Sequence, residues 1–367
     1  MPTILYVSHS SQIGGAEQSL LELLRRVGTQ YAVAVACPPG PLVDRLKASG
    51  VRAAVAPVAR LRRTASPLML WRSFRAWRHG VDEVARIVKE TDARIVHSNS
   101  TTAHLFGGAA AKRCRVASVW HVRDAAVPRI ARPFLHDADA RIAISRFVAG
   151  RFERSMHLPC EVIYNGVDVD RFRPADAPPA RPVVLMVGQI VPWKRHEDFI
   201  RAAAAVLRAI PEATFRIAGA DLFNEHAAYR ARLEKLAATL ALGKSLSFEG
   251  YRDDVPELLR YSSLLVLPSR REPFGRVVVE AMACGLPVIA TDDGGPAEIV
   301  VNGESGVLVR PGHHSKLATA IINTLVNPEN ARRMGESGRR RAVGIFDAAN
   351  SARKVMDLYA KLLEGRP

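Results

Sequence analysis

The sequence is short of several features that would place it in familiar classes. It has four cysteines, Cys37, Cys114, Cys160 and Cys284, scattered with no Cys-x-x-Cys pair and no Cys/His cluster. That spacing speaks against a disulfide framework or a structural metal site and for buried free thiols. No apolar run reaches the roughly eighteen residues of a membrane-crossing helix, and the opening MPTILYVSHS lacks the basic flank, long apolar stretch and small-residue cleavage site of a signal peptide. A cytoplasmic protein is therefore expected. Neither a repeat of solenoid length nor a low-complexity tract is visible. Acidic residues are the last shortage: 36 Asp and Glu stand against 52 Lys and Arg, a formal net charge of +16.

What is present is the composition of a soluble globular chain, 48% apolar and 24% charged. At 367 residues the chain exceeds one ordinary core, and two domains of roughly 150 to 200 residues are expected. The positive charge implies an anionic partner: nucleic acid, anionic lipid or a phosphorylated small molecule. No recognisable nucleic-acid motif supports the first, so no nucleic acid is expected.

Short apolar runs alternate with longer amphipathic ones. ILYVS, YAVAVAC, ARIVHS, VASVWHV and ARIAIS read as strands, with GAEQSLLELLRRV and PLVDRLKASG as helices between them. Continuous hydrophobic strands separated by helices signal parallel βαβ units covered on both faces. The polar stretch DRFRPADAPPARP, with four prolines, cannot continue a helix or central strand and reads as a linker. The pattern then restarts with PVVLMVGQ, a helix from about His196 to Ala209, TFRIAGA, SLSFEG, SLLVLPS, PVIATD and GVLVRP. The fold class is α/β: two Rossmann-like doubly wound domains, 1–170 and 183–345, joined by a linker at 171–182, with a C-terminal helix in 346–367 expected to pack back across a central cleft. Open α/β sheets bind ligands at the carboxyl ends of their strands, and the candidate chemistry is sought there.

In SHSSQIGGAEQ, Gly14 and Gly15 allow a tight turn ahead of a helix whose free N–H groups suit an anion, although the Gly-x-Gly-x-x-Gly fingerprint is absent and a purely structural turn is equally compatible. In VGQIVPWKRHEDF, Gly188 allows a turn and Lys194 can neutralise a phosphate held at the next helix start, or be a solvated surface lysine. In SRREPFGRVVVEAMACG, Pro273 marks a turn between a strand and a helix beginning near Gly275. Glu272 then lies on the loop, and Glu280 sits more than a turn into the helix. The N–H groups around Phe274 and Gly275 are unpaired at the helix start and suit ligand oxygens, while each carboxylate suits paired sugar hydroxyls. A helix flanked by two surface glutamates is the other reading of these residues.

The stretch EPFGRVVVEAMACGLPVIATDDGG, with Glu-x7-Glu at Glu272 and Glu280, resembles the nucleotide-sugar signature of family 4 of the retaining glycosyltransferases, the glycosyl transferases group 1, which have the GT-B fold. GGAEQSLLELL, VIYNGVDVDRFRP, VGQIVPWKRHEDFIRA, FEGYRDDVPELLRYSSLLVLPSRREPFG and GESGVLVRPG agree in order, so the resemblance covers nearly the whole chain. It implies a nucleotide diphosphate sugar as substrate, bound mainly to the second domain, with no separate cofactor. Glu280 would hold the ribose hydroxyls. Glu272, with the backbone of Phe274 and Gly275, would hold the transferred sugar, and Lys194 the diphosphate. Tyr251 and Arg252 lie on the loop, Tyr251 to Asp254, that borders the base, and Gly14-Gly15 would reach the phosphates. His121, in VASVWHVRDAAV, matches a histidine that relatives use near the donor sugar, and Arg123 and Asp124 are weaker candidates for the acceptor side. Many members carry an arginine where this chain has Gln189, which leaves one diphosphate contact, and a substitute role for Arg195, open.

The implied reaction moves a sugar to a hydroxyl acceptor, saccharide or lipid-linked, with retention, in surface polysaccharide or glycolipid synthesis. Front-face attack is the expected route, with domain closure near residues 165 to 182. An epimerase on the same scaffold and a non-catalytic nucleotide-sugar binder are the alternatives. Asp168-Val-Asp170 satisfies the metal-binding Asp-x-Asp pattern, but it lies in a linker block of the family, and no metal is expected. Between Arg60 and Arg78 there are six arginines and no acid. Leu70, Trp71, Phe74 and Trp77 recur there at helical spacing beside Arg72, Arg75 and Arg78. Residues 60–78 are thus expected to meet an anionic membrane surface at the inner face, with a core-facing aromatic stripe as the rival.

Overall fold

The structure, a computed structural model, describes residues 1–58, 67–124, 127, 131–132, 135–136, 138–177 and 179–365. The chain divides into two compact units, Met1–Gly166 with Ala348–Pro367, and Val167–Asp347.

The first unit runs β1 (Thr3–Val7), α1 (Gly15–Val27), β2 (Ala32–Cys37), α2 (Pro41–Ala48), β3 (Arg52–Val55), α3 (Pro67–Glu90), β4 (Ala93–Ser98), α4 (Thr101–Cys114), β5 (Ala117–Val122), β6 (Ala140–Ala143), α5 (Arg146–Met156) and β7 (Glu161–Val162). Its strands pair in parallel in the order β3-β2-β1-β4-β5-β6-β7. Successive side chains of a strand point to opposite faces, and β1 shows the result. Ile4 and Tyr6 enter one buried cluster with Leu20 and Leu24 of α1, while Leu5 and Val7 enter another with Val84 of α3 and Phe106 of α4. Both faces are covered, which is why these strands read as unbroken apolar runs.

The second unit runs β8 (Val183–Val187), α6 (His196–Ala209), β9 (Thr214–Ala218), α7 (Ala227–Thr239), β10 (Leu246–Gly250), α8 (Val255–Arg260), β11 (Leu264–Leu267), α9 (Arg276–Ala283), β12 (Val288–Thr291), α10 (Pro296–Ile299), β13 (Val307–Val309), α11 (His314–Leu325) and α12 (Pro328–Ile345). The same strand order returns, β10-β9-β8-β11-β12-β13. In each sheet the order reverses beside its first strand, between β1 and β4 and between β8 and β11, and such reversals open a crevice at the carboxyl ends.

The division falls earlier than the prolines imply. The Val167 amide donates to the Phe346 carbonyl (2.9 Å), so the chain joins the second unit before the proline-rich stretch begins. That stretch is anchored as well: Phe172 is buried, its amide donates to the Asp168 carbonyl, and Arg339 Nη1 donates to the Phe172 carbonyl (3.5 Å). The last helix, α13 (Ala348–Glu364), belongs to the first unit. Ala352, Val355 and Tyr359 sit in the same cluster as Ile4 and Leu20. Among the described residues no helix is long and apolar enough to cross a membrane.

Candidate functional site

In the second unit, Gly188 follows β8 and the Glu272 loop follows β11, so both stand at the strand reversal. The Gly188 amide closes on the Ala218 carbonyl (3.0 Å). A side chain at Gly219 would meet the Gly188 carbonyl at 1.8 Å, so only glycine permits this approach of backbones. Pro192–Lys194 then form a single 3-10 turn, which swings Lys194 back toward the strand end. Its ammonium donates to Glu272 Oε2 at 2.7 Å, and the two side chains are 12% and 7% exposed. Lys194 also lies over the Trp193 ring, 4.5 Å from its centre. Gln189 is half-buried. Arg195 binds Asp198 through two hydrogen bonds (2.8 and 3.0 Å) and Glu197 at 3.1 Å, so its guanidinium is committed to the first turn of α6.

Glu272 is held by its backbone. Its amide donates to the Asp293 carbonyl (3.1 Å), and the Gly295 amide donates to its carbonyl (2.8 Å). A Cβ at Gly294 would lie 2.1 Å from the Glu272 carbonyl oxygen, and one at Gly295 would lie 2.4 Å from Phe274 Cα. These two glycines, absent from the expected site, are the surface on which the loop rests. The quoted signature ends on them, and that adjacency is the only sequence signal they offered.

The Phe274 ring is buried against Phe346, with centres 6.1 Å apart. Gly275 caps α9 with φ of +91°, a conformation that favours glycine. The first amides of α9 lack intrahelical acceptors. Glu280 is 8% exposed and accepts from Arg276 Nε at 2.7 Å. Both glutamates are buried, so the reading of two surface glutamates flanking a helix does not hold. Tyr251 is exposed, and Arg252 Nε donates to Asp254 Oδ1 (2.7 Å) within the same loop.

In the first unit, His121 is the next-to-last residue of β5 and is 4% exposed. Its Nδ1 lies 3.1 Å from His97 Nε2 and 3.5 Å from Arg123 Nη2, while Nε2 is buried without a hydrogen-bond partner among the described residues. Burial, the Arg123 charge and His97 push its pKa well below the usual range, so the ring is neutral at pH 7. Arg123 donates to the Asn99 carbonyl (3.0 Å) and to Asn165 Oδ1 (2.8 Å), which makes it part of the buried frame. Asp124 is exposed. The Gly14 amide donates to Glu17 Oε2 (3.2 Å), whose carboxyl pKa is raised by burial. A Cβ at Gly15 would meet nothing within 4 Å.

The Asp-x-Asp pair is a local cap: Asp168 Oδ1 accepts from the amides of Asp170 and Arg171, both at 3.1 Å. Of the basic stretch, residues 60–66 and the side chains of Leu68 and Leu70 lie outside the described residues. On α3, Met69, Trp71 and Phe74 are 44%, 54% and 43% exposed, with Arg72, Arg75 and Arg78 exposed beside them. Trp77 instead turns to the core and donates to the Leu105 carbonyl (2.9 Å).

Comparison with known proteins places this geometry. The sequence model of the family "Glycosyl transferases group 1" matches residues 169–341, and that of "Glycosyltransferase Family 4" matches residues 13–171. A D-inositol 3-phosphate glycosyltransferase of Streptomyces bingchenggensis is 33% identical over 56% of this chain and 48% of the relative. A GDP-mannose-dependent alpha-(1-6)-phosphatidylinositol monomannoside mannosyltransferase of Mycolicibacterium smegmatis is 28% identical over 63% of this chain and 64% of its own. The chain spans about half the length of the curated relatives that it matches first. The crystal structure of Anabaena Alr3699/HepE in complex with UDP-glucose superposes with a TM-score of 0.85 at 25% identity, over 98% of this chain and 99% of that one. Strand order, the paired family matches and this likeness agree: the chain belongs to the group 1 glycosyltransferases of the GT-B fold.

Proposed function

We propose that this chain is a retaining glycosyltransferase that moves a sugar from a nucleotide diphosphate sugar to a hydroxyl acceptor. The observation that carries the reading is the buried Lys194–Glu272 pair at the strand reversal of the second unit. A cation and a carboxylate held side by side beside a helix start suit a ligand that has phosphate at one end and hydroxyls at the other. In this reading Lys194 moves from Glu272 to the diphosphate. Glu272 and the backbone of Phe274 and Gly275 receive the sugar hydroxyls, and Glu280 receives the ribose. The relatives' names contain both UDP and GDP, and the loop from Tyr251 to Asp254 would choose between them.

Attack by the acceptor hydroxyl from the face of the departing phosphate lets that phosphate take the acceptor proton. Lys194 and the α9 amides stabilise its charge, the role a metal fills in other designs. In the first unit, His121 and the Gly14-Gly15 turn are the residues proposed to address the donor sugar and phosphates. Incubation of purified protein with radiolabelled UDP-glucose or GDP-mannose and a panel of acceptors, with and without chelator, tests this. Transfer with retained anomeric configuration supports it; conversion of donor without acceptor would identify an epimerase, and binding without product a sugar-nucleotide binder.

A second element concerns location. The exposed Trp71 and Phe74 beside Arg72, Arg75 and Arg78 suit the inner face of an anionic membrane, where a lipid-linked acceptor of surface polysaccharide or glycolipid synthesis would be met. Replacing the three arginines with glutamate should abolish co-sedimentation with phosphatidylglycerol vesicles. Unchanged sedimentation would remove this element.

A further inference from the structure

The outer edge of the second unit's sheet carries a groove that the candidate site does not use. β13 ends the strand order, and between it, α11 and α12 lies an opening of about 510 Å³. Small-molecule sites occupy about 300–1,000 Å³. α11 is amphipathic: Leu317, Ala318 and Ile321 enter the buried cluster with Phe199 and Ile200 of α6, while Lys316, Ala320 and Asn323, at spacings of three to four, line the groove from another face. Val307 and Val309 of β13 and Met334 of α12 supply an apolar wall. Thr319, Ala320 and Thr324 also line it, and their short side chains leave the space unfilled. Both threonine hydroxyls donate to carbonyls of the preceding turn, Thr319 to Ser315 (3.1 Å) and Thr324 to Ala320 (2.9 Å), so they add little polarity to the wall.

The rim is basic. Arg310, His313 and Lys316 line the groove and are exposed. A turn sets the first two: Pro311 and Gly312 occupy its centre, Gly312 has φ of +86°, and the His313 amide donates to the Arg310 carbonyl (3.4 Å). The lining contains no aspartate or glutamate. Among the described residues neither the Arg310 guanidinium nor the Lys316 ammonium has an ion-pair or hydrogen-bond partner. Other arginines of this unit do pair, as Arg216, Arg230, Arg260 and Arg276 each hold a carboxylate. A peptide strand added to the edge of β13 is a poor occupant, because the Leu308 amide already donates to Asn302 Oδ1 (2.9 Å).

We propose that this groove binds a small soluble organic anion, a phosphate or carboxylate carried on an apolar body of the size of an aromatic ring. Arg310 and Lys316 take the anionic group, for which the arginine fork is suited, and Val307, Val309 and Met334 cover the body. No residue of the lining belongs to the Lys194–Glu272 constellation, so this site stands whether or not the chain transfers sugar.

The test is NMR of the full chain labelled at its methionine methyl groups, of which there are seven. Met334, buried in the wall of the groove, reports from inside it and is assigned with a Met334→Leu variant. Phenyl phosphate is the probe, and its titration should move the Met334 signal saturably. The double variant Arg310→Gln/Lys316→Gln changes two exposed positions and should keep the fold, while raising the dissociation constant about tenfold or more, the value of one charge-assisted hydrogen bond. Phenol, which has the ring without the charge, and inorganic phosphate, which has the charge without the ring, should each bind more weakly. A Met334 signal that phenyl phosphate leaves unmoved, or an identical titration in the double variant, would overturn the proposal. Equal binding of phenol would reduce the site to an apolar groove, and a shift produced by phosphatidylglycerol vesicles in place of phenyl phosphate would assign it to a lipid surface; either result also overturns it.

Discussion

Replacing Lys194 with methionine keeps the aliphatic stem and removes the charge, leaving the Glu272 carboxylate buried without its cation. At the observed 2.7 Å and an effective dielectric of about 20, the gross attraction lost is about 6 kcal/mol. Part of that is already offset by the desolvation of both groups, and loss of one member of a buried pair typically costs about 3–5 kcal/mol. The slight exposure of both side chains lets water reach the stranded carboxylate, which places the expectation near 3 kcal/mol. For a unit of this size that is a fall in Tm of about 6–12 °C. The double variant Lys194→Met/Glu272→Met replaces the pair with apolar groups of similar volume and should return to within about 1 kcal/mol of wild type. Donor binding should be lost in Lys194→Met, in Glu272→Met and in the double variant. Urea denaturation of wild type, both single variants and the double variant gives the coupling energy directly. If the double variant loses the sum of the two single losses, the ion pair carries no coupling, and the reasoning from its burial is refuted.

Gly294→Ala should destabilise the second unit by about 3 kcal/mol and abolish donor binding, because the new Cβ would lie 2.1 Å from the Glu272 carbonyl oxygen at a φ of +118°; a normal melting curve with normal binding would contradict this. Gly15→Ala should leave Tm unchanged or slightly raised, since the position opens a helix and a Cβ there meets open space. Donor affinity should nevertheless fall if phosphate approaches that backbone, and isothermal titration calorimetry separates the two effects. Acidification should weaken the fold well above the carboxylate range. His97 and His196 have pKa values lowered to about 3 from 6.5, first by burial and then by neighbouring cations. The unfolded chain therefore binds more protons between these values. Stability is complete above pH 6.5 and is lost as pH falls toward 3, by about 2 kcal/mol per histidine between pH 7 and pH 5. Denaturation at those two pH values should show a smaller difference in His196→Phe than in wild type; an equal difference would refute the assignment.

The layered frame was legible because strands buried on both faces leave unbroken apolar runs, and α6 was bounded to the residue by the pattern from His196 to Ala209. Glu272 and Glu280 were legible as a spacing, yet spacing is silent on burial, which decides between a solvated pair and a site. That came from β11, α9 and the Gly294-Gly295 shelf meeting in space. Gly294 and Gly295 escaped notice because a close approach of backbones leaves no periodicity. The hydrogen bond between Tyr359 and His97 was invisible for the same reason: a tyrosine on an amphipathic helix reads as core packing, and only the return of α13 to the first unit brings its hydroxyl to His97. The proline-rich stretch misled in the opposite sense, since prolines bar regular structure but do not prevent Phe172 from being buried. Arg195, open as a substitute for the arginine missing at Gln189, is occupied by Asp198 and Glu197.

The most direct test of the central claim is calorimetric titration of the full chain with UDP, GDP and ADP and with their common sugar conjugates, first without metal and then with magnesium. The account predicts saturable binding of one base family without metal, abolished by Lys194→Met and by Glu280→Gln. Absence of binding by every nucleotide, or binding untouched by both substitutions, would contradict it.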